Sequence, residues 1–568
     1  MAQTLPRNSD VADQLELLAD MLELTGEASF RVIAYRRAAQ RVRENAGSIA
    51  QLALDGRAKE LPGIGKTIEE KIVQIVDTGE IAALTKRKAE VPPEVVQFMH
   101  LPGLGPKTAA RLWHELGLTT VAQLQAAAEQ QQLRAMPGLG ARSEEKILKA
   151  LAEQRTPAEA RPLLGKGLPA VLAVVEELRA SPLVDKVSEA GSIRRRRETF
   201  RDLDMIATSS DPAALTAHFV SLPFVLEVVA HGDTKATVIS NDGLRFDLRV
   251  VPPESYGNLL QHFTGSKDHN VALRERAVKD GLSVSEYSIT VVDTGEELRY
   301  ATEKEVYERL GYAWIPPELR ENGGELEAAR RGGLPVLVEQ RDVKGDLHLH
   351  SDWSDGRATI EEMALAAIGR GYAYMAITDH SQRLREGRLA AYDEEVARLN
   401  EELAPFRILR GVEVNIRADG ALDMSDEELA SRDWVVASLH TSFDKSPTER
   451  VLAAMESPHV DCIGHLTARK INRRPAADID LEHVLEKAIE TGTFLEINGQ
   501  PDRLDLRDTH ARAAGEAGVP VLVSSDAHRP HELEYLDFAL SQARRAWLTK
   551  AQVLNTRTWP QIQRLMKR

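Results

Sequence analysis

AGSIRRRRETFRDLDMIAT, residues 190–208, holds a Gly-Ser pair, four consecutive arginines and an Asp-x-Asp at the head of an apolar run. Alternation in LDMIAT (203–208) predicts a strand, and the i, i+2 spacing puts the carboxylates of Asp202 and Asp204 on one face. A third carboxylate, Asp247, lies in RFDLRVV on another expected strand. Three converging carboxylates repel one another unless cations lie among them. Two divalent ions would resolve that repulsion and suit in-line phosphoryl or nucleotidyl transfer. Carboxylate oxygens are hard ligands, so Mg2+ or Mn2+ is expected here. Gly191 and Ser192 can form a turn that exposes backbone donors. Arg194 to Arg197 can face a triphosphate, although an arginine run alone also reads as a solvated face.

Further short β-rich runs follow, TKATVIS (234–240), LRFDLRVV (244–251) and SITVV (288–292), alternating with helical stretches as in a mixed α/β domain. Upstream, residues 10–60 read as helices, and a pattern then recurs three times: LPGIGKTIEEKI (61–72), LPGLGPKTAARL (101–112) and MPGLGARSEEKI (136–147). Recurrence makes a chance helix-joining turn a poor explanation. The glycine pairs Gly63/Gly65, Gly103/Gly105 and Gly138/Gly140 allow tight turns with positive φ. Such turns aim backbone N–H groups and a helix N-terminus outward, which binds phosphate without side-chain charge. QRTPAEARP (154–162) and the Pro/Gly-rich stretch 314–335 mark boundaries.

Downstream, ten of the 16 histidines fall within residues 340–568. Apolar strands alternate with helices there, and each strand ends in candidate ligands: His348, His350 and Asp355 in DLHLHSDWSDG, His380 in ITDH, Glu413 in GVEVN, His440 in ASLH, His465 in IGHL, Asp526 and His528 in SSDAH. Barrel active sites collect at such strand ends. Mixed imidazole and carboxylate ligands fit Zn2+, Mn2+ or Fe2+ better than Ca2+. His459, His483, His510 and His531 read as surface residues. Arg469 and Lys470 read as phosphate contacts or as a solvated pair.

The formal charge is −15 over 568 residues, but it cancels over residues 1–155 and is negative in the two remaining thirds. A nucleic-acid binder of this kind must use local basic faces and backbone donors rather than a global field. The lone cysteine, Cys462, excludes an intramolecular disulfide and a CxxC zinc site, and reads as a small buried residue. MAQTLPRNSD lacks an export-signal pattern and no run is long and apolar enough for a membrane span, so a cytoplasmic protein is expected.

The hairpins resemble the helix-hairpin-helix motif of DNA repair proteins. Gly191-Ser192, Asp202-x-Asp204, Asp247 and FTGS (263–266) resemble the family X DNA polymerases, and RRxRET with QHFTGSKDHN the bacterial branch. The resemblance implies that Asp202, Asp204 and Asp247 hold metal, with Asp247 beside the primer 3′-OH. It places Gly191, Ser192, Arg195, Phe263, Gly265 and Asn270 at the nucleotide and Arg274 at the template. It also gives the hairpin glycines to DNA. His262 stands where animal members have Tyr, and Arg201 where they have Gly. Lys71 aligns with a Schiff-base lyase lysine of some relatives, whose supporting lysine is Thr67 here. Nothing local in the sequence lowers its pKa, and a phosphate contact or a surface position is the other reading.

The C-terminal region resembles the PHP (polymerase and histidinol phosphatase) domain, with all nine ligand positions filled. The resemblance implies a distorted (β/α)7 barrel, up to three ions (Zn2+ and/or Mn2+), and 3′–5′ exonuclease or abasic-site endonuclease activity. The expected fold is multidomain α and α/β. It has a helical DNA-binding region (1–95), a fingers-like helical region (96–160), a mixed α/β nucleotidyltransferase-type palm (161–255), a thumb-like domain (256–318), a linker (319–340) and the barrel (341–568). The expected function is gap-filling DNA synthesis from dNTPs on gapped or nicked duplex, by a monomer. The rival readings are a DNA-end nuclease with a vestigial polymerase core, and a non-enzymatic DNA-end scaffold.

Overall fold

The computed structural model describes residues 5–567 except 7, 28, 44–48, 62, 100, 102–103, 137–138, 141–143, 145–146, 149–160 and 385–386. The chain divides into two units, Met1–Ala160 with Asp480–Glu482, and Arg161–Ile479 with His483–Arg568.

The first unit is helical. Helices Asn8–Leu24, Ser29–Arg43 and Ile49–Leu54 precede the first hairpin helix, Lys66–Thr78. Leu15, Leu18, Met21 and Leu22 line its core, as their helical spacing requires. A second core gathers Phe98, Leu101, Leu104, Leu112 and Leu124 around the helix Pro106–Leu116.

Among the described residues the second unit carries three sheets. The palm sheet has β1 (Lys186–Glu189), β2 (Leu203–Thr208), β3 (Val225–His231), β4 (Lys235–Ser240) and β5 (Arg245–Val251), in the order β1-β2-β5-β4-β3. The parallel β2–β5 pair stands at its centre and puts Asp204 in register with Asp247. Asp202 lies one residue before β2, not within it. A small antiparallel sheet, β6 (Leu282–Val284), β7 (Ile289–Val291) and β8 (Glu297–Leu298), packs with helices on a core around Leu273, Val306 and Tyr307.

Within the segment expected as a linker, 319–340, side chains are packed. Arg320 is fully buried, its guanidinium satisfied by the Ile315 carbonyl and Glu303. A helix follows at Glu325–Arg331. A charged, glycine-rich segment is packed here because its charges are paired, which composition does not reveal.

The last sheet is seven parallel strands: β9 (Gly345–Leu349), β10 (Tyr374–Ile377), β11 (Arg407–Asn415), β12 (Trp434–Ser438), β13 (Cys462–Gly464), β14 (Phe494–Asn498) and β15 (Val521–Ser524). A parallel bridge from Leu349 to Ala527 brings the two edges together, so the barrel nearly closes. Leu409, Trp434, Cys462, Phe494 and Leu522 fill one end. Strand alternation then returns the same face two to six residues later. In that way Leu409 leads to Glu413, Trp434 to His440 and Leu522 to Asp526 at the C-terminal ends of the strands.

Candidate functional site: a barrel metal centre and a palm carboxylate site

Nine side chains meet at the C-terminal end of the barrel, and Glu413 is their hub. Its carboxylate lies 2.9 Å from His380 Nδ1, 3.2 Å from His465 Nε2, 3.3 Å from His440 Nε2 and 3.6 Å from His348 Nε2. Asp526 Oδ1 lies 3.3 Å from His350 Nε2. On the outer side Asp355 stands 3.4 Å from both His380 Nε2 and His528 Nε2. Asp355 is half exposed whereas Glu413 is 1% exposed, so the centre opens to solvent past Asp355.

Three groups have ligand atoms within 4.8 Å of one another: His350/Asp355/His380/His528, His348/His350/Glu413 and His380/Glu413/His440. His348 Nε2, both ring nitrogens of His350 and Glu413 Oε1 are buried without a hydrogen-bond partner. Orphaned buried polar atoms are costly unless something else satisfies them. Burial opposes charge on Glu413, yet His440 and His348 hold its pKa well below the usual carboxylate range. Burial and neighbouring imidazolium charge push His350 down to about 4. Burial also works against charge on His380, but Asp355 and Glu413 outweigh it and push that ring up to about 10. A donor set of this chemistry fits divalent cations. His465 and Asp526 sit at φ +27° and +52°, a left-handed backbone that non-glycine residues hold only where the surroundings impose it.

Sequence reasoning missed the groups that orient these rings. Glu496 Oε1 lies 2.6 Å from His348 Nδ1, and Glu496 Oε2 accepts from the backbone N–H of His465 at 2.6 Å. Asn415 Oδ1 lies 2.6 Å from His440 Nδ1, and Asn498 donates to Asp526 at 3.0 Å. Such partners fix ring orientation and ligand basicity. Glu496 had a signal, a lone acid inside the apolar strand FLEIN, but its partners are distant in sequence.

Beside the centre, Arg357, Lys470, Arg503 and Arg529 line a cavity of about 370 Å3 together with Asp526 and His528. Lys470 faces it while paired to Asp502 at 2.8 Å. Arg469 instead turns to Glu198 of the palm. His459 and His510 are corrected from surface to half-buried, each with an Nδ1 lacking a partner. His483 and His531 are exposed.

In the palm, the Gly191 turn lies against the carboxylates. Gly191 has φ +63°, and a Cβ built there would fall 2.3 Å from Asp204 Oδ2. Ser192 follows in the short helix Gly191–Arg194. Burial, then the charges of Asp202 and Asp247, push Asp204 up to about 7. Asp247 accepts from the Thr237 hydroxyl and, at 3.0 Å, from Arg245. Among the described residues the palm carboxylates do not form a cluster as tight as those of the barrel. Arg195, His262, Phe263, Gly265, Asn270 and Arg274 line one cavity of about 380 Å3. Arg274 donates to His262 Nδ1 at 3.0 Å, and Asn270 to the His262 carbonyl at 2.7 Å.

The arginine run does not act as a block. Only Arg195 lines the cavity. Arg194 grips Glu303 with two bonds of 2.8 Å, Arg196 pairs with Glu189 at 3.3 Å, and Arg197 lies 4.0 Å from Glu321. Arginine's fork satisfies buried carboxylates as readily as it binds phosphate, so the run splits between structure and site.

In the helical unit, Gly63 has φ +87°, but Gly65 and Gly105 are extended helix caps. Neither cap makes a side-chain hydrogen bond, and a Cβ on Gly65, Gly105 or Gly140 would meet nothing within 4 Å. Gly103 and Gly138 lie outside the described residues. Lys71 lines a cavity of about 280 Å3 with Tyr35, Arg31 and Lys86. Burial, then the charge of Arg31, lowers its pKa, so the influence absent from the local sequence comes from another helix.

A palm with converging carboxylates, joined to a barrel where nine candidate ligands cluster, defines a two-centre, metal-dependent enzyme of phosphoryl-transfer type. Residues 259–321 match the DNA polymerase beta thumb, residues 346–500 the PHP domain, residues 6–81 a helix-hairpin-helix domain, and residues 97–153 a SAM-like helix-hairpin-helix tandem. The chain is 40% identical over 570 residues to the DNA polymerase/3′-5′ exonuclease PolX of Bacillus subtilis (strain 168), covering 98% of this chain and 99% of that protein. It thus belongs to the bacterial family X DNA polymerases that carry a C-terminal PHP domain. A probable phosphatase of Thermoanaerobacter sp. (strain X514) is 34% identical over 226 residues, 37% of this chain and 89% of the relative. Another, of Syntrophotalea carbinolica, is 30% identical over 224 residues, 37% of this chain and 90% of the relative.

Proposed function

We propose that this protein fills short gaps in DNA by template-directed addition of dNTPs, and that its barrel removes or cleans 3′ ends by phosphoester hydrolysis. The observation that carries the reading is the juxtaposition of Asp204, Asp247 and the Gly191 turn with the cavity lined by Arg195 and Asn270. Asp202, Asp204 and Asp247 would hold Mg2+ or Mn2+. The nine barrel ligands would hold up to three ions, Zn2+ and/or Mn2+. Bound cations would neutralise charge developing on the reacting phosphate and activate the attacking oxygen.

The protein's own groups do the rest. Asp247 accepts the proton of the primer 3′-OH. Arg195 and the Gly191-Ser192 turn hold the triphosphate. Phe263 and Gly265 pack against the sugar, and Asn270 and Arg274 lie toward the base pair. The hairpin caps Gly65, Gly105 and Gly140 grip DNA phosphates through backbone donors. Lys71, in a cavity lined by Arg31, Lys86 and Arg87 with Glu27 and Glu90, contacts a 5′ phosphate or serves as a lyase nucleophile. Lys470, Arg503, Arg357 and Arg529 receive the phosphates of the strand being cut. The protein works as a monomer in the cytoplasm, on gapped or nicked duplex.

The test is primer extension and degradation on gapped DNA with Mg2+ and Mn2+, using wild type, Asp204→Ala and His348→Ala. Each variant should lose one activity and keep the other. Synthesis retained by Asp204→Ala would refute the palm assignment. The looser palm triad favours a second reading, a DNA-end nuclease with a weak polymerase core. It predicts no extension of a one-nucleotide gap with any divalent metal.

A further inference from the structure

We propose that the barrel is also a working part of the nucleotide site: Arg545, on the helix Leu536–Arg545, is a positioning residue that holds Arg195 in place through Glu321. The inference rests on reading the palm cavity as the dNTP site, and it assigns to the barrel a role separate from hydrolysis.

The geometry runs in one chain of contacts. Glu321 Oε1 is shared, accepting from Arg195 Nε at 3.0 Å and from Arg545 at 3.1 Å. The Arg545 guanidinium also donates to the backbone carbonyl of Arg195 at 2.6 Å. Side chain and main chain of residue 195 are therefore both tied to the same barrel residue. Arg545 is anchored behind by Asp508, 2.9 Å from its Nε, and is 2% exposed. On the far side, Arg195 donates to the carbonyl of Thr264, at the FTGS turn that lines the same cavity.

The platform beneath this chain is a shared, packed core. Leu504 and Phe538 of the barrel belong to the palm's own hydrophobic core. A Cβ on Gly165 of the palm would fall 2.4 Å from Pro501. Arg469 pairs with Glu198. Barrel and palm therefore pack as one body around the Arg545 contact.

Removing Arg545 takes away the donor to the Arg195 carbonyl and one of the two guanidinium groups that hold Glu321, so the Arg195 side chain is placed less firmly and regains freedom that must be lost again on nucleotide binding. That weakens nucleotide binding and leaves the carboxylates untouched.

The experiment uses the full chain and reads two activities. In Arg545→Ala, KM for dNTP in gap filling should rise about five-fold or more, the worth of one net hydrogen bond. kcat should stay within about two-fold, the signature of lost binding rather than lost transition-state contact. Barrel hydrolysis of a 3′ end should match wild type. Arg545→Lys should restore part of the loss, and Glu321→Gln should reproduce it without adding to it in the double variant. If Arg545→Ala does not fold, Glu321→Gln, which keeps shape and volume, carries the same expectation. Wild-type KM in the folded variant would overturn the inference. So would an equal fall of both activities with no rescue by lysine. Gap filling absent from the wild type would overturn the palm reading itself.

Discussion

Gly191 is pressed against Asp204 so closely that a β-carbon at position 191 would lie 2.3 Å from the carboxylate oxygen Oδ2. The glycine is also at φ +63°, where other residues are strained. Gly191→Ala should displace the carboxylate and reduce gap filling by about 100-fold, the cost of a misplacement near 1 Å. Hydrolysis at the barrel should continue. Single-turnover dNTP incorporation beside 3′-end hydrolysis checks this, and near-normal incorporation would refute it.

Glu496 touches the His348 ring and the backbone N–H of His465 at the barrel centre and would hold no ion itself. Glu496→Gln keeps the shape but removes the charge that orients His348. Metal affinity or hydrolysis should fall about 10–100-fold, as for other outer partners of metal ligands, while gap filling is unchanged. Titration calorimetry with Mn2+ on the folded variant tells this from a general loss of structure, and unaltered Mn2+ affinity would count against it.

The caps Gly65 and Gly105 have ordinary negative φ and open space where a side chain would go. Among the described residues nothing demands glycine at either, which fits the close approach of a molecule from outside. Serine is a good helix N-cap. Gly105→Ser should leave the melting temperature unchanged and weaken binding to gapped DNA, with a smaller salt dependence if a phosphate contact is lost. Unchanged affinity would show that the turn only joins helices.

Glu303 is buried between Arg320 and Arg194. Burial opposes its charge, but the two guanidinium groups win and hold it down to about 2, against an ordinary 4.5. A depressed carboxyl stabilises the fold above its unfolded pKa, and that stability is lost as pH falls through its folded pKa. Glu303→Gln should cost about 3 kcal/mol or more at pH 7, where removing one partner leaves buried charge uncompensated. The gap between variant and wild type should narrow as pH drops from about 4.5 toward 2. Urea unfolding at several pH values measures it, and a gap independent of pH would contradict the assignment.

Much of the site was legible because period-two alternation is a local property of strands. The spacing of His348 and His350 and of Asp202 and Asp204, and the strand-end positions of His380, Glu413, His440 and Asp526, mark them as candidates, and the structure brings each group together. What spacing cannot express is which distant charge satisfies which. The arginine run was one motif in the sequence, but in space it is divided among Glu303, Glu321 and Glu189. Glu496, the lowered pKa of Lys71 and the packed segment at Arg320 depend likewise on partners from other elements.

The sequence by itself determined the order of the regions, the strand faces that carry the candidate ligands and the glycine turn at Gly191, because each follows from backbone geometry over a few residues. Only the tertiary structure decided that one carboxylate, Glu321, joins Arg195 of the palm to Arg545, some 350 positions later in the barrel. Charge pairing is set by distance in space and by exclusion of water, and neither is written in local order.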